Sequence, residues 1–447
     1  MKMKTTSWIA GYALTLSLAA SAAVAADGEL TDFGAIKAAN TDGSIPAYAG
    51  IGVGKLPADF KPGSGRYTDP FRDEKPLFSV SARNAAQYRQ FLTPGVLALM
   101  ERFPDYRIDV YPSHRTMVYP DWVLENTRKN AISAKLVGEV EGDGVEGAYA
   151  GIPFPQPKSG YEVMWNQLLR FQGARTDMRN QSFFVDRSGS KTLIGEQETK
   201  FMWPYYDRST KGLEQWNFMT GRTQYFAPPA QAGQLFLQKY TMNNSVQNDL
   251  TWIYSPGQRR VRVAPEANYD TPAASMGGVI TFDEIGGFNG RMDRFDFKLV
   301  GREEKFIPYN NYRALFTDGL VGEKHENPDL MRWEKHRVWV VEATLKPGKR
   351  HIYQKRTYYI DEDTWLSSLY EAYDHSGQLY RVANTMNIFM YDNPRLGQPG
   401  RNVYDLTKGT WASNVILADP NNYMIPYDEV PNQSRFTPAT LAASGVR

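Results

Sequence analysis

The chain has 447 residues, 51 basic against 49 acidic side chains, and no cysteine. The missing cysteine excludes disulfide stapling, a thiol nucleophile and lipid attachment at an N-terminal cysteine. The near-even charge argues against bulk attraction to nucleic acid or anionic lipid. The 27 Tyr, 22 Phe and 10 Trp residues suit strands, and also surfaces that are part apolar and part wet. Composition favours a β-rich core, with an aromatic surface for an amphipathic ligand as the alternative.

Residues 1–25 read as a secretory signal peptide. Lys2 and Lys4 start it, Trp8 to Leu18 is mainly apolar but too short to span a bilayer, and Ala23-Val24-Ala25 places small residues where a signal peptidase reads. The predicted cut follows Ala25, or else Ala26. No later stretch approaches about 18 consecutive apolar residues, so no transmembrane helix is predicted. The expectation is an exported, soluble, non-lipidated periplasmic protein.

Residues 26–80 form a predicted extended arm, turn-rich from Asn40 through Pro76. A single body over 81–447 follows, with helices over 81–171, a sheet over 181–390 and a loop-rich C-terminal tail. The first helix runs from Ser81 to about Leu92. Thr93-Pro94 starts a second with Val96, Leu97, Met100 and Phe103 on one side, ended by Pro104. Tyr106 to Tyr111 is extended, Pro120 to about Lys135 a third helix, Val137 to Ser159 loop, and Gly160 to Phe171 a fourth helix.

From about Gln181 the period becomes alternating. Predicted strands are 181–185, 191–195, 234–242, 250–254, 259–263, 293–299, 337–345, 352–360, 366–374 and 378–383. Ser255-Pro256-Gly257-Gln258 carries the residues of a type II turn, and Asp374-His375-Ser376-Gly377 those of a second hairpin. The order implies one large antiparallel sheet with helices packed on one face.

Reactive groups are sparse. His114, His325, His336, His351 and His375 show no metal-ligand spacing, and each reads as a surface or edge residue. There is no G-x-S-x-G elbow, no P-loop and no Rossmann glycine trio. Asn40 to Ser44 reads as a turn, since it lacks the closing acid of a calcium loop. Glu362, Asp363, Glu371 and Asp374 offer acid pairs whose separation sequence does not give. Arg260 and Arg262 alternate with Val261 and Val263, which predicts a solvated charged face. The strongest remaining feature is the aromatic strands. Thr251 and Ile253 oppose Trp252 and Tyr254. Trp339, Val341, Ala343 and Leu345 share a face, and apolarity on both sides of Val338 to Val341 predicts cover on both. That cover is either packed core or a cavity for a lipid, whose burial stabilises by about 0.8 kcal/mol per methylene.

Several stretches together resemble a known family: ANTDGSIPA at 39–47, FPDYR at 103–107, VYPSHR at 110–115, ENTRKN at 125–130 and GIPFP at 151–155. Met164-Trp165 with Leu168-Leu169-Arg170, SPGQRRVR at 255–262, Phe282-Asp283-Glu284, IPYNNY at 307–312 and RVWVVE at 337–342 complete the set. It resembles the periplasmic domain-of-unknown-function family number 1329, grouped with the LolA/LolB-like outer-membrane lipoprotein-sorting fold. The resemblance implies an α+β, β-rich chain: a curved antiparallel half-barrel covered by helices, with lipid acyl chains on its concave side. It also implies partnership with an outer-membrane barrel and a resistance-nodulation-division type exporter, and brings no catalytic residue, cofactor or metal. The anchoring cysteine of LolB-type proteins is absent, so a soluble carrier like LolA fits better. The expected function is a non-enzymatic carrier or chaperone for a lipid or other hydrophobic ligand, with Trp252, Tyr254, Trp339, Val341, Tyr358 and Tyr370 as cavity residues. The alternatives are a hydrolase acting on lipid or glycan, and a structural adaptor.

Overall fold

The computed structural model describes residues 29–209, 217–265, 267, 269–273, 277–397 and 400–445. The predicted signal peptide, with its cut at Ala25 or Ala26, lies outside these residues. The strands in chain order are β1 (Phe78–Ser81), β2 (Arg107–Val110), β3 (Lys135–Val137), β4 (Gly144–Glu146), β5 (Arg175–Val185), β6 (Lys191–Met202), β7 (Asn217–Ala227), β8 (Leu235–Thr241), β9 (Leu250–Ser255) and β10 (Arg260–Val263). They continue with β11 (Phe295–Pro308), β12 (Trp333–Leu345), β13 (Lys355–Asp361), β14 (Ser367–Tyr373), β15 (Leu379–Met386), β16 (Phe389–Met390), β17 (Arg395–Leu396), β18 (Gly400–Asp405), β19 (Thr410–Ile416) and β20 (Tyr423–Tyr427). The helices are α1 (Pro94–Arg102), α2 (Asp121–Ser133), α3 (Gly160–Leu168), α4 (Tyr312–Phe316) and α5 (Pro438–Gly445).

Among the described residues, sixteen strands make one sheet in the order β1-β2-β12-β13-β14-β15-β18-β19-β5-β6-β7-β8-β9-β10, with β11 on β12 and β20 on β5. Two expectations change here. The sheet is mixed, because Trp333 of β12 meets Val110 of β2 in parallel. The predicted loop-rich tail instead supplies β18 and β19, which join the β12–β15 half to the β5–β10 half. Alternation does not mark these strands because both their faces are buried, and buried Arg401, Asn402 and Asp405 give β18 a polar look.

Helix starts follow the local chemistry. The Thr93 hydroxyl accepts the Val96 N–H at 3.3 Å with Pro94 in the first turn, and the Ser159 hydroxyl caps α3 through the Glu162 N–H at 3.3 Å. The stretch expected as a helix from Ser81 is a short 3-10 turn, Ala85–Phe91. The helices do not share one face. α1 sits over Glu371 and Val382, which pair with each other. α3 sits over Phe297, and Tyr161 rests on that ring at 5.3 Å. Phe297 pairs with Ala343, on the Val341–Tyr370 side of the sheet and opposite to Glu371.

The arm lies along the body. Phe33, Ala35, Ile45 and Tyr67 are buried, the Trp365 indole donates to the Phe33 carbonyl at 3.1 Å, and Arg66 donates to the carbonyls of Leu417, Asp419 and Asn422. In the 256–259 loop between β9 and β10 the left-handed residue is Arg259 (φ 48°) and not Gly257, so the type II turn expected at 255–258 is replaced by a longer loop.

Candidate ligand-binding site

Register places Val341, Tyr358 and Tyr370 in one row across β12, β13 and β14, continued by Ala383, Val403 and Ala412. Trp339 lies two residues along β12 on the same face. These four predicted site residues are therefore brought together, as solid core. Tyr358 and Tyr370 lie 5.1 Å apart, and Phe288 and Phe297 pack on Tyr358 at 6.0 and 6.4 Å. Trp339 is held between the parallel ring of Trp365 at 6.1 Å and the Arg302 guanidinium at 4.0 Å. Val341 and Tyr358 are 0% exposed.

Charged groups lock this half. The turn Phe282–Glu284, closed by a Thr281 capping box, sends two carboxylates onto the face. Asp283 meets Arg356 at 2.5 Å and His351 at 3.1 Å, while Glu284 takes the Tyr353 hydroxyl at 3.1 Å and Arg381 at 3.4 Å. The Glu284 carbonyl accepts Arg401 at 2.7 Å. Burial opposes ionisation of Asp283, but Arg356 and His351 more than offset it and hold its carboxyl well below the usual range.

A second buried network lies at the other end of β12. Arg115 grips Asp363 with two bonds of 2.8 and 2.6 Å and reaches Glu362 at 3.4 Å. Glu362 also faces Arg337 at 3.5 Å and Arg302 at 3.6 Å. His336 sits 3.0 Å from Glu334 and 3.8 Å from Asp361, with Tyr309 stacked on its ring. Burial, then the Asp363 charge, pushes Asp361 up to about 6 and Glu362 up to about 7. Burial works against Glu334 as well, yet Arg332 and His336 bring it down to about 2. His336, Asp361 and Asp363 present ligand atoms within 4.8 Å of one another. Arg115 and Glu334 already occupy that chemistry, so the trio is better matched to guanidinium than to a metal ion. His336 is thus a buried ion-pair residue and His351 a buried hydrogen-bond partner of Asp283, its proton affinity lowered by burial and by Arg356, correcting the surface reading. Isolated on the sequence, they gave no signal of partners 68 residues away or on a neighbouring strand. The acids also have structural partners: Glu371 accepts the Gly95 N–H at the start of α1 at 2.5 Å, and Asp374 organises its hairpin through Ser376.

Trp252 and Tyr254 are not with the other four. They pair with Leu237 and Leu235, and the Tyr254 hydroxyl donates to the Gly445 carbonyl of α5 at 2.8 Å. With Met202, Phe436 and Leu441 they form a separate small core on the opposite face. The intervening residues Thr251 and Ile253 continue the first face. Phe236 and Ile253 connect through Thr223, Thr199 and Met178 to the side of β5 that carries Phe184, which pairs with Ala412.

That end of the face is not filled. A cavity of 350 Å³ is lined by Phe236, Ile253, Arg262, Thr271, Pro272 and Phe282 among others. A neighbour of 340 Å³ is lined by Tyr240, Asp249, Thr251, Tyr269, Phe282 and Asn289 among others. Ala267 and Phe282 line both. The segment over them is held by its own backbone: Phe282 N–H bonds to Thr271, Asp283 N–H to Tyr269 and Ala273 N–H to Ile280. Arg262 faces the 350 Å³ cavity, so the charged side of β10 borders it and Val261 faces the α5 cluster. Phe236 carried the clue in the sequence, as the alternate of Leu235 and Leu237.

The family model for a protein of unknown function, DUF1329, matches residues 79–442. The uncharacterised protein PA3922 of Pseudomonas aeruginosa is 38% identical over 97% of this chain and 97% of its own length. The chain therefore belongs to the DUF1329 family. Among solved structures, a putative outer membrane lipoprotein-sorting protein domain from Vibrio parahaemolyticus has TM-score 0.43 at 14% identity, covering 63% of this chain and 97% of its own. A DUF1329 family protein from Desulfovibrio piger has TM-score 0.43 at 15% identity with the same coverages. A LolA superfamily protein from Nitrosomonas europaea has TM-score 0.36 at 11% identity, covering 63% and 98%.

Proposed function

We propose that this protein is a non-enzymatic periplasmic carrier or chaperone for an amphipathic or lipid molecule, bound at the β8–β10 end of the sheet. The observation that carries the reading is the pair of adjoining cavities on one sheet face, walled by Phe236, Ile253 and Phe282. Their volumes fall in the lower part of the range of roughly 300–1,000 Å³ for small-molecule sites. The apolar wall binds a chain by burial, at about 0.8 kcal/mol per methylene. No helix among the described residues is long and apolar enough to cross a membrane, which is compatible with a carrier that moves between membranes. An outer-membrane barrel and a resistance-nodulation-division type exporter are the partners proposed for the hand-over.

The second reading is a structural adaptor. It is favoured by the complete burial of Val341, Tyr358 and Tyr370, which the sequence offers as cavity residues. Mass spectrometry of protein purified from periplasm and extracted into organic solvent separates the two. The carrier reading expects a defined lipid or other amphiphile in the extract, and its loss in Phe236→Asp or Ile253→Asp with folding preserved. An empty extract from the wild-type protein leaves the adaptor. Turnover of an ester or glycoside that disappears in Glu362→Gln would overturn both.

A further inference from the structure

The 340 Å³ cavity differs chemically from its neighbour. Asp249 lines it, and among the described lining residues there is no other charged side chain. Asp249 stands in the β8–β9 loop and accepts the Thr241 N–H at 2.8 Å through Oδ1. Its Oδ2 has no hydrogen bond among the described residues. Arg291, the cation whose charge reaches it, is turned instead to Asp143, at 2.7 and 2.6 Å. The rings of Tyr240, Tyr269 and Phe282 form much of the remaining wall. Tyr269 already carries the Arg294 guanidinium, 3.5 Å from its ring centroid, so Tyr240 and Phe282 are the rings presented to a guest. A carboxylate beside aromatic faces, with no competing cation among the described wall residues, is the chemistry that recognises an organic ammonium group.

We infer that this cavity takes the ammonium-bearing headgroup of an amphiphile whose apolar chain lies in the adjoining 350 Å³ cavity. The inference rests on the carrier reading and makes it specific. Phe282 and Ala267 are the common wall, so a ligand crossing from one cavity to the other passes along Phe282. An anionic headgroup of the same size would meet Asp249 as a like charge and is disfavoured.

Burial raises the Asp249 carboxyl to about 7, with the Thr241 N–H and Arg291 pulling the other way. Among the described residues, the other ionisable groups of the cavity wall are the Tyr240 and Tyr269 phenols, both raised by burial, so they stay neutral. Ammonium binding therefore strengthens as pH rises through about 7, where the carboxylate forms.

The test is calorimetric titration of the full chain, stripped of bound lipid, with dodecyltrimethylammonium and with dodecyl sulfate below their micellar concentrations. The expected result is binding of the ammonium probe at least about tenfold tighter than the sulfate. Asp249→Asn keeps an acceptor for the Thr241 N–H and should abolish that preference and its pH dependence. Phe282→Leu removes one ring without touching the hydrogen bonds, and should weaken both probes while leaving the preference. Equal binding of the two probes, or a preference that survives Asp249→Asn, would overturn the headgroup assignment and leave a carrier of another ligand. Failure to bind either probe, together with an empty organic extract, would instead overturn the carrier reading.

Discussion

Replacing Arg115 by methionine isolates the largest consequence of the buried ion network. The guanidinium makes two short bonds to Asp363, a longer one to Glu362, and a 2.8 Å bond to the Ile36 carbonyl. The side chains of Arg115, Asp363 and Glu362 are 2%, 1% and 2% exposed, so solvent does not take over when the cation goes. Methionine conserves much of the stem volume and leaves two carboxyls facing each other in a dry site. Breaking a buried pair from one side costs about 3–5 kcal/mol, a large share of the roughly 5–15 kcal/mol that holds a domain folded. Urea unfolding at neutral pH, followed by circular dichroism, reads this as a fall in the midpoint. The reasoning has a sharper form in the double variant Arg115→Met with Asp363→Leu. Removing both charges removes the orphan, so the pair should lose less than the two single losses added, with a coupling of about 1–3 kcal/mol. A loss below about 1 kcal/mol in the single variant would mean that water reaches the network. Additive losses would mean that the two groups act independently, and either result refutes the argument.

The same network makes stability fall as pH rises from the acid side. Burial and the Asp363 charge raise Asp361 to about 6 and Glu362 to about 7 in the fold, above the ordinary carboxylate range, so the native state holds protons that the unfolded chain releases. Their contribution is fully present below the unfolded values and is lost as pH rises through 6 to 7. Urea midpoints should decline across that window, and Glu362→Gln should flatten the decline; an unchanged slope would remove Glu362 from the cause. Gly34→Ala should free the arm, because Gly34 has φ +93° and an added Cβ would lie 1.8 Å from the Pro155 carbonyl oxygen. The expected readout is faster protease cleavage within residues 29–77, with a stability loss above about 1 kcal/mol. Thr93→Ala removes the α1 cap and should cost about 1 kcal/mol by the same urea assay.

Local chemistry was legible in the sequence and long-range assignment was not. Thr93-Pro94, the 374–377 hairpin and the alternating runs on β8, β9 and β12 declare themselves through caps, turns and a period of two, which depend on near neighbours. β18 and β19 escaped because strands buried on both faces have no alternation to read, and their hydrogen-bonded polar residues imitate loop composition. The buried charge networks escaped for another reason. Arg115 and Asp363 are 248 residues apart, and a sequence of 49 acids and 51 bases offers every pairing at once. Of the six aromatic and aliphatic residues singled out as cavity lining, bulk and strand placement picked five that are buried, with Trp252 half-buried. They could not say which face of the sheet each would occupy, since that depends on bulges in β6, β7 and β19.

The division of the face into a sealed half and an open half follows from one turn. Thr281 to Glu284 places an aromatic ring and two carboxylates side by side, and each serves a different half. Asp283 and Glu284 are pinned by Arg356, Arg381 and His351 from β13, β15 and the strand-flanking loop. Phe282, one residue earlier, is the wall between the two cavities. The ion pairs are therefore what fixes the ring, and the ring is what sets the shape offered to a guest. A cavity wall fixed in this way loses little freedom when a ligand enters, which favours affinity without any large apolar surface. On the carrier reading proposed above, the buried charges serve ligand geometry as well as stability. This accounts for why a chain with so large a core keeps three arginines, Arg356, Arg381 and Arg401, buried under one short turn, where apolar residues of similar volume would hold the sheet together as well.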